Sequence, residues 1–443
     1  MEIHTLEASL KKTAARTVEL AQSLGATQSE AGVSADEGLN VTVRMGDIES
    51  VERHANRGIG ITVFCAGSKG SASTTEFSDA AIEAAVRKAI SIASYTEADE
   101  HAGLADAALM GSADVELDLY HPWAIEVDAA RELALEAEDA ARSSDARIAN
   151  SEGATVSTDC GYRAYANSHG FVGGQASSSH ALSCSVIASS DDQLERDYWV
   201  TTARTSSALE SAQAVGLRAA GRATARLGSR QIKTARVPVV YPAELARGLL
   251  GHCIAGIRGT SLYRRASFLL DSIGKQIFPE WVTIEELPHL PRAFGSATFD
   301  GDGVQTQART LVDAGRLTGY VLSAYSARRL GMHTTGNAGG VHNLVVHPTG
   351  GDLAEIIGGL DRAFVVGELL GQGVNIVTGD YSRGAAGFWV ENGEIVHPVN
   401  EVTIAGNLGE IFSAIELIGS DVDTRGVIRT GSILVGEMTV AGG

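Results

Sequence analysis

The segment from Leu249 to Thr260, LLGHCIAGIRGT, lies where a catalytic motif would be expected, but it lacks the side chains of one. It begins like a helix and supplies one imidazole, His252, and one thiol, Cys253, before it reaches Gly256 and Gly259. No carboxylate lies within a helical turn of these groups. A zinc hydrolase needs three protein ligands, an open coordination position and usually a carboxylate base. Whether the chain is an enzyme therefore depends on this segment.

The sequence supports other candidate metal sites less well. His342 and His347 are five residues apart, which places them on opposite faces of a strand and well apart on a helix. They share a metal only if the backbone between them is irregular. His252 and Cys253 are neighbours and point apart in any regular element, so a core thiol beside a buried histidine is the favoured interpretation.

Nucleophile and nucleotide motifs are also missing. No G-x-S-x-G elbow occurs, which argues against a serine hydrolase of that type. Gly371-Gln-Gly373 lacks the third glycine and the helix of a dinucleotide loop. Asp380 and Arg383 flank the sequence GDYSRG, which is either an ion-paired turn or a substrate clamp; the structural use is favoured.

The predicted helices and strands that carry these residues fall into three units. Residues 1–112 predict an α-β-β-β-α order, in which helical spacing over 6–24 precedes alternating runs at 39–44 and 57–64. Asp79 is predicted to cap a closing helix that ends near Ser94. This order indicates an antiparallel sheet with helices on one face.

Residues 113–228 repeat the pattern of a helix, several strands and a helix. Pro122 suits the first turn of a helix that extends to about Arg142. Ser168-His-Gly170 separates two strand-like runs and predicts a hairpin. The segment from 208 to 227 predicts the last helix of the unit.

Residues 229–443 predict a mostly-β, glycine-rich C-terminal domain, either a sandwich or a distorted barrel. Pro242 opens a helix that runs into the Leu249 region, and Asn392-Gly393 predicts a two-residue hairpin turn. The fold class is therefore α+β, with two-layer α/β units and antiparallel sheets in the N-terminal part. The absence of strands that alternate with regular helices argues against a doubly wound parallel sheet.

Composition narrows the class of function. The chain has 443 residues with 54 acidic and 35 basic side chains, a formal net charge of −19, and no basic stripe. Direct nucleic-acid binding is disfavoured because it needs phosphate neutralisation. The four cysteines form no C-x-x-C, and no apolar run approaches the ~18 residues of a membrane span. We expect a cytoplasmic protein with reduced thiols that contacts no membrane.

Several longer strings resemble the PmbA (or TldE) branch of the TldD/PmbA family, over essentially the whole chain. They include RGIGITV at 57–63, KGSAS at 69–73, FLLDSIGKQI at 268–277, AYSARRLG at 324–331, TGNAGG at 335–340 and GDYSRGAAGFWVENGE at 379–394. The resemblance implies a bacterial cytoplasmic protein of a two-component metalloprotease system, formerly described as a modulator of DNA gyrase.

In that family the TldD partner carries H-E-x-x-x-H on a helix and a distal cysteine as zinc ligands, and it cleaves unfolded or extended peptides. The PmbA partner shares the fold and generally lacks the motif. Carried onto this sequence, the first histidine falls at Gly251, the glutamate at His252, the second histidine at Gly256 and the cysteine near Thr430. None of these residues supplies the chemistry of the motif.

The resulting hypothesis is a non-catalytic subunit that forms a hetero-oligomer with a TldD paralogue. Zinc is expected in that partner, no cofactor in this chain, and unfolded peptides as substrates. One alternative is a stand-alone hydrolase whose unrecognised site uses His252, His333 or His342. Another is a non-proteolytic regulator of a different complex. A homodimer of the isolated chain is also open, since a surface made for a similarly folded paralogue can pair with itself.

Overall fold

A computed structural model describes residues 3–111, 115–191 and 193–442. The predicted boundary between the first two units, at residues 112 and 113, lies outside the described residues. The division into three units stays a prediction.

One six-stranded antiparallel sheet organises the N-terminal half, and it contains strands from both predicted units. Its strands are β1 (Gln28–Arg44), β2 (Asp47–Cys65), β3 (Ser68–Thr74), β4 (Ile148–Asn167), β5 (Val172–Ser190) and β6 (Gln193–Ala203). They are ordered β3-β2-β1-β4-β5-β6. The central pairing of β1 with β4 extends from Glu30 opposite Asn167 to Val43 opposite Ala154. The two units therefore share a continuous sheet.

Four helices cover one face of this sheet, as the sequence predicts. They are α1 (Ile3–Ser23), α2 (Asp79–Tyr95), α3 (Val127–Ser144) and α4 (Ala212–Ala225). On β1, Ala31 and Val33 pack in the core under α1 and α2, whereas Leu39 and Val41 pack in the core under α3 and α4. Alternate residues of a strand face the same side. All four helices therefore lie on one side.

Two details of the predicted helices are wrong. The second helix begins at Val127 after Glu126, not in the turn that follows Pro122. The chain before it is tied to the sheet, since the His121 backbone N–H donates to the Ser178 hydroxyl at 2.9 Å. Asp79 is the first residue of α2 and does not cap it; the Ser78 hydroxyl accepts from the backbone N–H of Ala81.

The C-terminal half is mostly β, as predicted, and of the two predicted forms it is a barrel. The main sheet uses β7 (Ala235–Tyr241), β12 (Arg362–Leu370), β13 (Asp380–Glu391), β14 (Glu394–Asn407), β15 (Ile415–Ile418) and β17 (Ile433–Ala441). Its order is β14-β13-β12-β7-β17-β15, and an additional pairing of β14 with β17 closes a ring of five strands. The predicted turn at Asn392-Gly393 joins β13 to β14, with positive φ at both residues.

A smaller sheet and short helices complete this half. The sheet is ordered β10-β9-β8-β11-β16, from β8 (Ile284–Glu286), β9 (Arg309–Asp313), β10 (Arg316–Leu317), β11 (Leu344–Val346) and β16 (Ile428–Arg429). The helices are α5 (Ala243–Ile257), α6 (Gly259–Tyr263), α7 (Ala324–Arg329), α8 (Leu353–Gly358) and α9 (Leu408–Ser413). None of the described helices combines the length and the hydrophobicity that a membrane span requires.

Candidate functional site: helix α5 and the adjoining groove

Helix α5 carries three of the four positions that the family resemblance assigns to the zinc motif. The Pro242 carbonyl accepts the backbone N–H groups of Leu245 and Ala246, both at 2.8 Å, and Glu244 places a carboxylate in the first turn. Its buried residues recur three and four apart and fix one face in the barrel core: Ala243, Ala246, Leu249, Leu250, Cys253, Gly256 and Ile257.

His252 lies beside strand β13. Its ring meets the ring of Tyr381 edge-on, with centroids 6.0 Å apart. Burial, and then the positive charge of Arg383, lower the pKa of His252. The imidazole is therefore neutral at pH 7 and packs against an aromatic ring of the core.

The two glycines of the motif have different surroundings. A Cβ built on Gly251 would have no heavy atom within 4 Å outside its own helix backbone. A Cβ on Gly256 would lie 3.0 Å from the Phe268 ring and 3.1 Å from Leu269. The Ser267 hydroxyl also donates to the Gly256 carbonyl at 2.6 Å. Phe268 and Leu269 thus fill the space into which a ligand side chain at residue 256 would point.

Thr430, the fourth position, is buried, and its hydroxyl donates to the Gly431 carbonyl at 3.1 Å. The neighbouring Ser432 hydroxyl accepts the backbone N–H of Ala243 at 3.2 Å. This stretch therefore contacts the start of α5, whereas Gly251 lies two turns further along the helix. Among the described residues, no hydrogen bond joins Thr430 to either motif glycine.

The other candidate residues are dispersed. Burial raises the pKa of Cys253 to about 12, so its thiol stays protonated. His333 is exposed after α7. The two ring nitrogens of His342 lie 3.2 Å and 3.0 Å from backbone carbonyls, whereas His347 contacts the Glu285 carboxylate at 2.7 Å.

The segment GDYSRG at 379–384 does not form the ion-paired turn that its sequence predicts. Asp380 and Arg383 belong to strand β13 and bind different partners. Asp380 accepts the Thr378 hydroxyl at 2.6 Å, and Arg383 donates to the Leu370 carbonyl at 3.1 Å. Successive strand residues alternate between faces, so residues three apart point to opposite sides.

The residues at the motif do not fit a zinc ion. Gly251 and Gly256 offer no donor, the Thr430 hydroxyl is engaged, and His252 is the one remaining nitrogen ligand. Over 3–111, 115–191 and 193–442, no group of three or more His, Cys, Asp or Glu side chains is arranged to hold a metal ion. Structural zinc sites use four ligands and catalytic sites three protein ligands.

A groove with a cavity of about 1000 Å³ separates the N-terminal sheet from the barrel. One wall comes from β6 and α4, including Trp199 and Arg218, and the other from the barrel, including Glu244 and Phe388. A second cavity of about 540 Å³ shares Glu244 and reaches Arg247, Gly248 and Arg383. The groove therefore extends to within a turn of the motif position at Gly251.

Two arginines bridge the walls of this groove: Arg222 of α4 and Arg226, the residue that follows this helix. Arg222 contacts Asp197 of β6 at 3.0 Å and Glu244 of α5 at 2.8 Å. Arg226 contacts Glu195 at 3.2 Å on β6 and Glu368 at 2.7 Å on β12. These ion pairs fix the barrel against the N-terminal sheet.

Trp199 lies between two further guanidinium groups. The Cζ atoms of Arg218 and Arg425 are 3.5 Å and 4.2 Å from its ring centroid, and such short distances require opposite faces. The Trp199 indole N–H donates to Glu210 at 3.0 Å. Sequence reasoning missed this cluster, because its members come from β6, α4 and a loop more than 200 residues further on.

Comparison with known proteins defines the class. Three successive family models match the chain: PmbA/TldA metallopeptidase domain 1 over residues 29–93, the central domain over 120–227 and the C-terminal domain over 234–442. The fold and the family models thus indicate a metallopeptidase-type protein.

Individual relatives agree. The chain is 45% identical to Metalloprotease PmbA of Escherichia coli O157:H7 over 94% of this chain and 92% of the relative. It is similar in structure to a proposed modulator of DNA gyrase from Bacteroides thetaiotaomicron, with a TM-score of 0.93, 24% identity and 98% of each chain covered. TldE from Thermococcus kodakarensis has a TM-score of 0.81 at 19% identity, over 96% of this chain and 99% of that one. The chain belongs to the PmbA/TldD family of metalloproteases.

Proposed function

We propose that this chain is the non-catalytic subunit of a two-component metalloprotease of this family. The observation that carries the proposal is the state of helix α5, where Gly251 and Gly256 stand at ligand positions and Phe268 and Leu269 close the space beside Gly256. An imidazole at His252 cannot replace a general base without a metal-bound water beside it. Hydrolysis then falls to a zinc-bearing TldD paralogue.

The substrate in this proposal is an unfolded or extended peptide. The groove beside β6 supports it, because a cavity of about 1000 Å³ has room for a stretch of extended chain and not for a folded domain. The apolar side chains Leu353, Phe388 and Ile395 line it and offer contacts that tolerate many peptide sequences.

The partner and the cellular compartment are also proposals. The likeness to TldE supports the shared fold of a subunit, and the cytoplasm is the expected compartment. In the proposed complex the N-terminal units supply much of the subunit contact, and the barrel half faces the zinc subunit.

Metal analysis and co-purification test this assignment. We expect the purified chain to hold no stoichiometric zinc, and a tagged chain co-expressed with a TldD paralogue to capture it. Stoichiometric zinc that is lost in His252→Ala or His342→Ala would overturn the assignment and favour a stand-alone hydrolase. Failure to capture the paralogue would favour the non-proteolytic regulator.

A further inference from the structure

Arg218 of α4 lines the groove with hydrogen-bond donors that the chain leaves unused. The cavity of about 1000 Å³ includes this residue, and 54% of its side chain is exposed. An oxygen of the Glu210 carboxylate lies 4.0 Å from its guanidinium, which is too far for a hydrogen bond. Within the part of the chain that the structure describes, no acceptor takes a hydrogen bond from this guanidinium. A ligand in the groove can therefore bind to it.

The other arginines that line this cavity are already paired. Arg222, Arg226 and Arg425 each form hydrogen bonds to two or more residues of the chain, through carboxylates or backbone carbonyls. These contacts join the N-terminal sheet to the barrel half, so the three side chains are committed to holding the walls together. Arg218 differs from them because its charge is not used in this way.

Trp199 fixes the Arg218 guanidinium without using its N–H groups. The Cζ atom lies 3.5 Å from the ring centroid, which is a stacking distance. Stacking occupies the face of the guanidinium and leaves its edge, where the N–H groups lie, free to donate. The ring is itself held, since its N–H donates to Glu210 at 3.0 Å and Arg425 covers its other face. The donors are therefore oriented before a ligand binds.

A fixed, planar set of donors matches one kind of acceptor best. A carboxylate accepts two parallel hydrogen bonds from the fork of an arginine side chain. Burial lowers the pKa of Arg218, because the charged group has lost part of its hydration in the groove wall. A bound anion replaces that lost hydration with hydrogen bonds. The chemistry of the position thus favours a carboxylate over a neutral ligand.

We propose that Arg218 binds a carboxylate of the extended peptide that occupies the groove. The carboxylate belongs either to an acidic side chain of the peptide or to its C terminus, since both present the same acceptor. Glu210 acts in the opposite direction, because its negative charge beside Arg218 repels a second carboxylate. This selectivity rests on the proposed function, in which the groove receives a peptide substrate.

Peptide binding to the isolated, full-length chain tests the selectivity without hydrolysis. The probes are rhodamine-labelled peptides of alanine, glycine and serine. One has a central glutamate and an amidated C terminus, one has glutamine instead, and one has glutamine and a free C-terminal carboxylate. In fluorescence anisotropy, we expect at least one carboxylate peptide to bind about tenfold more tightly than the neutral peptide. The preferred peptide identifies which carboxylate is bound.

Substitutions at Arg218 and Glu210 should shift this preference in opposite directions. Arg218→Gln should raise the Kd of the preferred peptide about tenfold and leave the Kd of the neutral peptide within about twofold. Glu210→Gln keeps an acceptor for the Trp199 N–H and removes the repelling charge. It should therefore lower the Kd of the preferred peptide about threefold. A purely structural role for Arg218 predicts equal losses for charged and neutral peptides.

The matched controls are Lys88→Gln and Glu19→Gln, which make the same changes in net charge at exposed positions of α2 and α1, outside the groove. Both should bind all the peptides like the wild type, and circular dichroism should show that every variant is folded. The proposal is overturned if the wild type binds no peptide, binds all of them equally, or keeps its preference in Arg218→Gln. These results leave zinc content and capture of the paralogue, which test the proposed function, unaffected.

Discussion

At the scale of single residues, Gly251 and Gly256 are not equivalent, although the family resemblance assigns both to zinc-ligand positions. The space beside Gly251 is open, and the space beside Gly256 is taken by Phe268 and Leu269. A histidine at residue 256 needs these side chains to move, whereas one at residue 251 does not. Phe268 and Leu269 therefore make residue 256 the less tolerant of the two positions.

This difference predicts unequal effects on stability. Gly256→His should lower the free energy of unfolding in urea by about 1–3 kcal/mol through overpacking. The control Gly251→His, on the same helix, should change it by less than about 0.5 kcal/mol. In a double-mutant cycle, Phe268→Ala should relieve part of the cost of Gly256→His. Equal effects of the two histidines would contradict the filled site.

Asp300 predicts a pH dependence. Its carboxylate accepts the backbone N–H groups of Asp302, Val304 and Ala338 at 2.7–2.9 Å. Burial is the largest influence and raises the pKa of Asp300 to about 7. Because this folded pKa lies above the ordinary value of 3.8, the native state binds more protons between these pH values. The contribution to stability is full below pH 3.8 and is lost as pH rises through 7.

Urea unfolding between pH 5 and 8 measures this contribution. The free energy of unfolding of the wild type should fall, relative to Asp300→Asn, by at most about 1.4 kcal/mol per pH unit up to pH 7 and then level off. The variant should also be less stable at neutral pH by about 1–3 kcal/mol, since its amide N–H cannot accept a backbone donor. Parallel pH profiles for the two proteins would contradict the raised pKa.

At the scale of elements, Arg226, the residue that follows α4, joins the end of this helix to both β6 and β12. Its side chain is 18% exposed and approaches Glu195, Asp197 and Glu368 within 3.5 Å. Arg226→Ala leaves Asp197, which is 8% exposed, with one cation fewer. We expect Arg226→Ala to lower the free energy of unfolding, measured in urea, by about 2 kcal/mol.

The conservative change Arg226→Lys keeps the charge and gives up the forked contact. Its free energy of unfolding should fall by less than half as much as that of Arg226→Ala. If the free energies of unfolding of Arg226→Ala and of the wild type differ by less than about 0.5 kcal/mol, the bridge contributes no more to stability than a surface ion pair.

Local signals in the sequence predicted many elements correctly. Asn392-Gly393 fixed a hairpin because both residues tolerate positive φ, and the alternation along β1 indicated its buried face. Pro122 was misleading, because a contact between His121 and Ser178, 57 residues further on, keeps that segment extended. The residue types at Gly251, His252 and Gly256 suggested a lost motif. No local sequence pattern indicated that Phe268 fills the space beside Gly256.

At the scale of the whole molecule, the pairings that define the architecture are long-range. β1 pairs with β4 more than a hundred residues away, and β14 pairs with β17 to close the barrel. Periodicity within each segment predicts strands but not which strands become neighbours. The groove follows from that arrangement, since its walls come from both halves of the chain.

In the proposed enzyme, two subunits divide substrate handling and hydrolysis between them. Cleavage of an unfolded peptide tests it most directly, with the zinc-bearing paralogue alone, this chain alone and both together. We predict no cleavage by this chain alone, cleavage by the mixture, and the same rate when the mixture contains His252→Ala. Cleavage by this chain alone, after purification free of any paralogue and sensitive to a zinc chelator, would contradict the account.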